Sequence, residues 1–414
     1  MSARVPLYHE VHPHVTTHLD PAVVPPAAAE RLILLVVGIL AAHSAVVGQI
    51  TRHLHQLLVT AALAESIGRR LRRTLNDESL DPVTCYHPVV AAVIDWPGRH
   101  DPRQEVVLII DESSKRDEVH LFRVSLAYWG GSLPLAWAVW AQNVALAEGT
   151  YWRTIDRVLA QVAALLPPGR RVLVLADRAD GVPAFLDRRE AYGWSWIVRL
   201  TTTGRHRVRD PHHGERELKA VVAARLARPG QRFRLSGELV KDAGWRPLHL
   251  LGLWGRGQKE SLVVLTNRAP RWSVIRQYER RFWIEAGFRS DQAKGWPWEA
   301  SQVQGVAHHQ RLLLGMAWAT LITRCLGVAE ADAQGTARAT APVRLRGQQQ
   351  RPGRPRHARE SVFTLGLAAL RGWLYQTRLR PWRWWLPDSS APSWADQWYQ
   401  VQAHRFLFAQ PVRP

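Results

Sequence analysis

The sequence predicts an α/β protein whose core sheet is interrupted by a β-rich insertion and flanked by helical regions at both ends. Three observations lead there. Two apolar runs, Val106–Ile110 and Val172–Ala176, each close on an aspartate, Asp111 and Asp177, the pattern of buried strands reaching a polar edge. Strand patterns and helical patterns alternate between and after these runs. From residue 201 to 268 the character changes, with glycines such as Gly214, Gly230 and Gly252 punctuating short alternating stretches.

Size and charge set outer bounds. A chain of 414 residues suggests two or three domains, and 46% hydrophobic residues exclude a disordered one. The formal charge of +20, from 55 basic and 35 acidic residues, favours a polyanionic partner, nucleic acid ahead of an anionic membrane surface. Only five of the bases are Lys; a GC-rich genome explains that bias but not the excess of bases over acids. Cys85 and Cys325 lie far apart, which suits a reducing, cytoplasmic setting and excludes a Cys-based zinc site. No signal-peptide pattern opens the chain. The most apolar segment, Leu32–Gly48, is interrupted by His43 and Ser44 and is too short for a span, so it reads as a buried helix. Neither a membrane nor a small-molecule substrate is expected.

In chain order, residues 1–29 read as an arm, because Pro21, Pro25 and Pro26 oppose a helix. Residues 30–100 read as a helical domain, expected to bind DNA. Leu32, Leu35, Val36, Ile39 and Leu40 recur at helical steps, a second helix covers Val47–Leu58, and a third carries Arg69, Arg70, Arg72 and Arg73. That basic last helix suits DNA, although a solvated face would look the same. Asp77, Glu78 and Pro82 end it. Residues 101–200 carry strands at 106–111, 119–128 and 134–140, a helix at 151–165, a strand at 172–177, a helix at 181–192 and a strand at 194–200. Three early antiparallel strands followed by alternating helix and strand is the order of a ribonuclease H-like core. The insertion, 201–268, separates this from a second core part, 269–328, with helices at 271–292 and 305–326. Residues 329–360 read as a basic linker and 361–414 as a C-terminal region, with a helix at 361–375 and a Trp-rich tail. The tail's Trp382, Trp384 and Trp385 suit either nucleic-acid contact or packing on the core.

The chemistry concentrates in three acids. Asp111 and Asp177 stand at strand ends, and Glu285 follows Tyr278 and Arg281 at steps of seven and four, so the three share one helical face that Arg289 extends. Two carboxylates from strands and one from a helix suit a pair of divalent cations, Mg²⁺ or Mn²⁺, roughly 3.5–4 Å apart, as phosphodiester cleavage uses. Asp111 is the choice for the bridging ligand, with Asp177 and Glu285 holding one ion each. Tyr278 and Arg281 read as phosphate-positioning groups. Glu112, next to Asp111, should face the opposite side of the strand.

At these motifs the sequence resembles the DDE transposases of bacterial insertion sequences, in the insertion-sequence-four group. Ile109-Ile110-Asp111-Glu112-Ser113 is similar to that family's first aspartate strand, and Ala176-Asp177-Arg178 to its second. Tyr278, Arg281 and Glu285 are similar to the tyrosine, arginine and glutamate of the Y-R-E-K signature. The position of the signature lysine is Gln292, with Lys294 two residues on, and Arg178 is followed by Ala179 and Asp180 where the family has glycine and an aromatic. The resemblance implies DNA contacts from Arg178, Arg289 and Lys294. It implies metal-dependent cleavage and transfer at terminal inverted repeats, and a dimer or higher assembly on double-stranded DNA. It also implies an insertion near the active site that supports a hairpin route. Trp245 and Trp254 in the insertion suit stacking of a flipped base and ordinary strand packing equally. Two other readings stay open: a decayed or repurposed transposase that binds DNA without cutting, and a ribonuclease H-like nuclease without strand transfer.

Overall fold

The computed structural model describes residues 6–57, 63–96, 103–177, 183–201, 206–210, 212, 214–240, 245–255, 258–289, 295–338, 361–376, 382 and 384–387. Five helices come first: α1 (Pro6–Thr16), α2 (Pro26–Ala42), α3 (Val47–Leu57), α4 (Ala64–Asn76) and α5 (Pro82–Val93). The expected arm therefore contains a helix and the start of another. Its prolines mark boundaries: Pro26 occupies the first turn of α2, where a missing N–H costs nothing. Leu7, Val11 and Val15 of α1 are buried, and Tyr8 and His12 both bond Glu30 of α2. Helix α2 is buried along Leu32–Ala41, as expected of a helix apolar on all sides. Helix α5 is absent from the sequence reading, which took Pro82 only as a stop. Asp81 caps it, accepting from the N–H groups of Val83 (2.9 Å) and Thr84 (3.1 Å), and Pro82 sits in its first turn.

Among the described residues the sheet is mixed and ten-stranded. Strands β1 (Glu105–Lys115), β2 (Val119–Tyr128) and β3 (Gly131–Ala141) form an antiparallel meander. After α6 (Thr150–Leu165), β4 (Arg171–Ala176) returns parallel to β1, and after α7 (Pro183–Ala191), β5 (Ser195–Arg199) lies parallel to β4. The glycine-punctuated region supplies β6 (Arg207–Asp210), β7 (Gly214–Glu217), β8 (Arg232–Val240) and β9 (Trp245–Leu253), together with a helix, α8 (Leu218–Arg225). These strands continue the same sheet, because β10 (Leu262–Thr266) pairs with both β5 and β9. The full order is β3-β2-β1-β4-β5-β10-β9-β8-β6-β7.

The single helix expected over 271–292 is broken in its described part. It runs as α9 (Ser273–Tyr278), a 3₁₀ turn (Glu279–Phe282) and α10 (Trp283–Arg289). Helix α11 (Val306–Arg338) is longer than expected and takes up the first ten positions assigned to the linker; residues 339–360 lie outside the described residues. Its stretch Val306–Ala333 is long and apolar enough to cross a membrane, yet its most apolar part is buried inside the fold, and the helix packs on α2, β3 and α12 (Val362–Gln376). Gly327 and Gly366 allow α11 and α12 to touch backbone to backbone: a Cβ on either would come within 1.8 Å of a carbonyl oxygen of the other helix. Arg324 of α11, buried, donates to the carbonyls of Tyr128 (3.1 Å) and Ser132 (3.0 Å), fixing the helix to the β2–β3 turn. The described part of the tail packs on the core. Trp384 stacks on His14 and Trp318, and Leu386 bridges to Ile94.

Candidate active site

The pairing of β1 with β4 aligns Ile109 with Leu175, so two residues on, Asp111 and Asp177 stand level where the parallel pairing ends. Strand β1 itself continues, paired to β2 as far as Lys115, so Asp111 lies within a strand and not at its tip as the sequence suggested. Helix α10 packs on β1, β2 and β3 and brings Glu285 to the same place. A cross-sheet contact controls that approach: a Cβ on Gly287 would lie 2.0 Å from Ser132 Oγ.

All three carboxylates meet one guanidinium. Arg281 donates from Nη1 to Glu285 Oε1 (2.7 Å) and from Nη2 to Asp111 Oδ2 (2.9 Å); the same Nη2 lies 3.2 Å from Asp177 Oδ2. The site is graded in exposure. Arg281 is 8% exposed, Asp111 17%, Asp177 31% and Glu285 45%, so the cluster opens on the Glu285 side. Burial raises the Asp111 carboxyl above the usual range, opposed by the Arg281 charge and the Glu112 N–H. For Arg281, burial lowers and the neighbouring aspartates raise; the aspartates prevail, and the guanidinium stays charged.

Tyr278 belongs to the same neighbourhood but not to its surface. It is 1% exposed, and burial first, then Asp177, pushes its phenol well up, so it remains protonated. Its ring is buried beside Asp177 and Arg281 and presents almost no surface in this structure for the phosphate contact expected of it. A residue missed by the sequence reading is Arg123. It pairs across from Asp111 on β2, is 2% exposed, stacks 4.1 Å from the Phe288 ring centre of α10, and its charge steadies the Asp111 carboxylate. No periodic signal marks it, because its position follows from cross-strand register. Glu112 faces the other side of β1, as expected, and accepts from Tyr151 (2.7 Å) while pairing with His120 (2.9 Å).

The donor set suits a hard divalent cation. Three carboxylates converge against one guanidinium, and Asp177 Oδ1 is buried with no hydrogen-bond partner. Among the described residues, no three acid, His or Cys side chains form a ready-made metal cluster; the three acids are arranged around the Arg281 guanidinium.

The remaining candidates lie elsewhere. Arg69, Arg70, Arg72 and Arg73 are exposed on α4, and Arg69 pairs with Glu65 at 3.0 Å. Arg72 lines a groove of about 530 Å³ with Thr51, Asn76, Gln302, Gln304 and His308. Trp245 is covered by the Arg209 guanidinium at 4.0 Å, and Trp254 packs on the core with its N–H held by the Gln258 carbonyl (3.0 Å). Arg178, Gln292 and Lys294, and the side chain of Arg289, lie outside the described residues.

No family model matches the chain, and no curated protein matches it. Among solved structures it is similar to piggyBac transposase in a synaptic complex with hairpin DNA, at 12% identity, covering 99% of this chain and 84% of that one, with a TM-score of 0.44. It is also similar to Aquifex aeolicus Argonaute, at 12% identity, covering 43% of this chain and 24% of that one, with a TM-score of 0.21. Values this low leave the functional reading to the geometry of the site.

Proposed function

We propose that the protein is a DNA transposase of the DDE type, with a ribonuclease H-like core, acting in the cytoplasm on double-stranded DNA. The observation that carries this reading is the meeting of Asp111, Asp177 and Glu285, from two adjacent parallel strands and a helix, on one guanidinium. The strand order of β3-β2-β1-β4-β5 and the net charge of +20 support it. Asp111, Asp177 and Glu285 would hold Mg²⁺ or Mn²⁺, which supplies activation of the attacking oxygen and stabilisation of the leaving one. Arg281, the most buried member of the cluster, would offer its fork of donors to a phosphate only once released from the acids. Arg123 and Tyr278 keep Asp111 and Arg281 in place from behind. The exposed arginines of α4 supply sequence-independent affinity for the DNA backbone. The protein would bind the terminal inverted repeats of an insertion sequence, nick the 3′ ends and join them to target DNA, as a dimer or larger assembly.

The test is cleavage of a labelled duplex carrying the element's own terminal repeat, with Mg²⁺, by wild type and Glu285→Gln. Nicking by the wild type that is lost in the variant is the expected result. Binding without nicking would move the reading to a DNA-binding protein that does not cut. That reading has one observation in its favour, the occupation of the acid cluster by Arg281. Nicking without strand-transfer products would assign a nuclease instead.

A further inference from the structure

We infer that Arg281 is a resident counter-ion that must leave the three acids before a divalent cation can bind, and that DNA phosphate draws it away, so that DNA binding licenses metal loading. The inference rests on the active-site reading above and concerns its regulation. Nη1 and Nη2 of Arg281 engage Glu285, Asp111 and Asp177 together, at 2.7, 2.9 and 3.2 Å. A cation ligated by those same oxygens would stand within a few ångströms of the guanidinium, and the two positive groups would compete for them.

The arginine is held incompletely. Its Nε is buried with no hydrogen-bond partner, and Asp177 Oδ1 beside it is likewise unsatisfied. Both are atoms that a different arrangement would engage: the carboxylate oxygen on a cation, the guanidinium edge on a phosphate. The backbone offers a place for the change. Arg281 lies inside the 3₁₀ turn Glu279–Phe282, between α9 and α10, and a stretch of 3₁₀ within a helical run is a common hinge. A phosphate is the ligand class whose planar, bidentate recognition suits guanidinium, and it carries the charge needed to outbid carboxylates that are themselves gaining a cation. The two exchanges are then linked. Whatever factor DNA adds to metal affinity, metal adds to DNA affinity.

The experiment measures Mn²⁺ bound by the full-length protein, from the free Mn²⁺ spin-resonance signal, with and without a mixed-sequence DNA duplex whose binding is followed by anisotropy in the same samples. Wild type, Arg281→Gln, Arg281→Lys and Asp111→Asn are compared, with circular dichroism as the check on folding. Wild type should bind Mn²⁺ weakly alone and about tenfold more tightly with duplex. Arg281→Gln should bind tightly without DNA and gain little from it, and Arg281→Lys should lie between them. Equal Mn²⁺ affinity in wild type with and without bound duplex overturns the linkage even if Arg281→Gln is poorly folded. If, in addition, Asp111→Asn still weakens Mn²⁺ binding, the metal site stands and only the counter-ion inference fails. If no protein binds Mn²⁺ under any condition, the active-site reading fails and the inference with it.

Discussion

Asp111 and Glu112 are neighbours on one strand, and the two faces of β1 use their carboxylates in opposite ways. Asp111 meets two further acids and one guanidinium, and its carboxyl is raised by burial. Glu112 is also desolvated, but the His120 and Tyr151 hydrogen bonds outweigh that and lower it. Its environment is complete: His120 continues to Gln142 (3.0 Å) and stacks on Trp140. One face gathers like charge around a cation and leaves an acid oxygen unsatisfied; the other satisfies its acid with hydrogen bonds from Tyr151 and His120. An excess of acid is a place that can take up positive charge, whereas a satisfied acid is a brace. Burial alone does not separate the two, since both side chains are partly exposed; their partners do.

Substitution of the two neighbours gives the sharpest break. Asp111→Asn should lower Mg²⁺-dependent nicking of a terminal-repeat duplex by at least about a thousandfold, and Glu112→Gln should leave it within a few-fold of wild type. Comparable losses in both variants would erase the distinction between the faces. Next comes Gly287→Ala, whose new Cβ meets Ser132 Oγ at 2.0 Å. It should destabilise the protein by about 1–3 kcal/mol in chemical denaturation and impair nicking, because α10 carries Glu285. Unchanged stability there would mean that α10 is free to slide over β3. Glu112→Gln should cost about 1–2 kcal/mol of stability, the worth of its charged hydrogen bonds, with the midpoint in denaturant as the readout.

The smallest effect lies further along the strand, where Lys115 pairs with Glu118 (2.8 Å) and Glu118 with His309 (3.5 Å). His309 accepts from Trp298 Nε1 (3.1 Å), and burial, followed by the Lys115 charge, lowers its imidazole from 6.5 to about 4. A base whose folded pKa is depressed contributes stability that is present above pH 6.5 and is lost as the pH falls toward about 4. Glu279 acts in the other direction, since burial raises it from 4.5 to about 7. The useful quantity is therefore the stability difference between wild type and His309→Gln. It should shrink by about 1 kcal/mol between about pH 6.5 and about pH 5.5, and a flat difference would show that His309 titrates normally.

The strands were legible because their signals are local. The runs 106–110 and 172–176 are buried as near-continuous apolar strands, and β2 begins and ends where its pattern does, at Val119 and Tyr128. The alignment of Asp111 with Asp177 was implied by two runs of similar length ending in the same residue type. What the sequence concealed was non-local or double in meaning. Arg123 reaches Asp111 through register across a hairpin, and no spacing along the chain encodes that. Pro26 and Pro82 were read as helix breakers, yet each opens a helix, because proline is compatible with the first turn and hostile only to later ones. Arg281 reaches the acids from a 3₁₀ turn that a regular helical spacing does not encode, and the charges nearest it in the structure are the acids.

The pairing of β5 with β10 has a consequence for how such a chain can be built. Arg199 lies opposite Val264, and the Leu200 N–H bonds the Val263 carbonyl, so the chain leaves the central sheet and returns to it at adjacent points. Everything from β6 to β9 hangs from that doorway. An ancestor or an engineered version could close it with a tight hairpin and keep β1, β4 and β5 in place, and segments of other lengths could be grafted at the same threshold without moving Asp111 or Asp177.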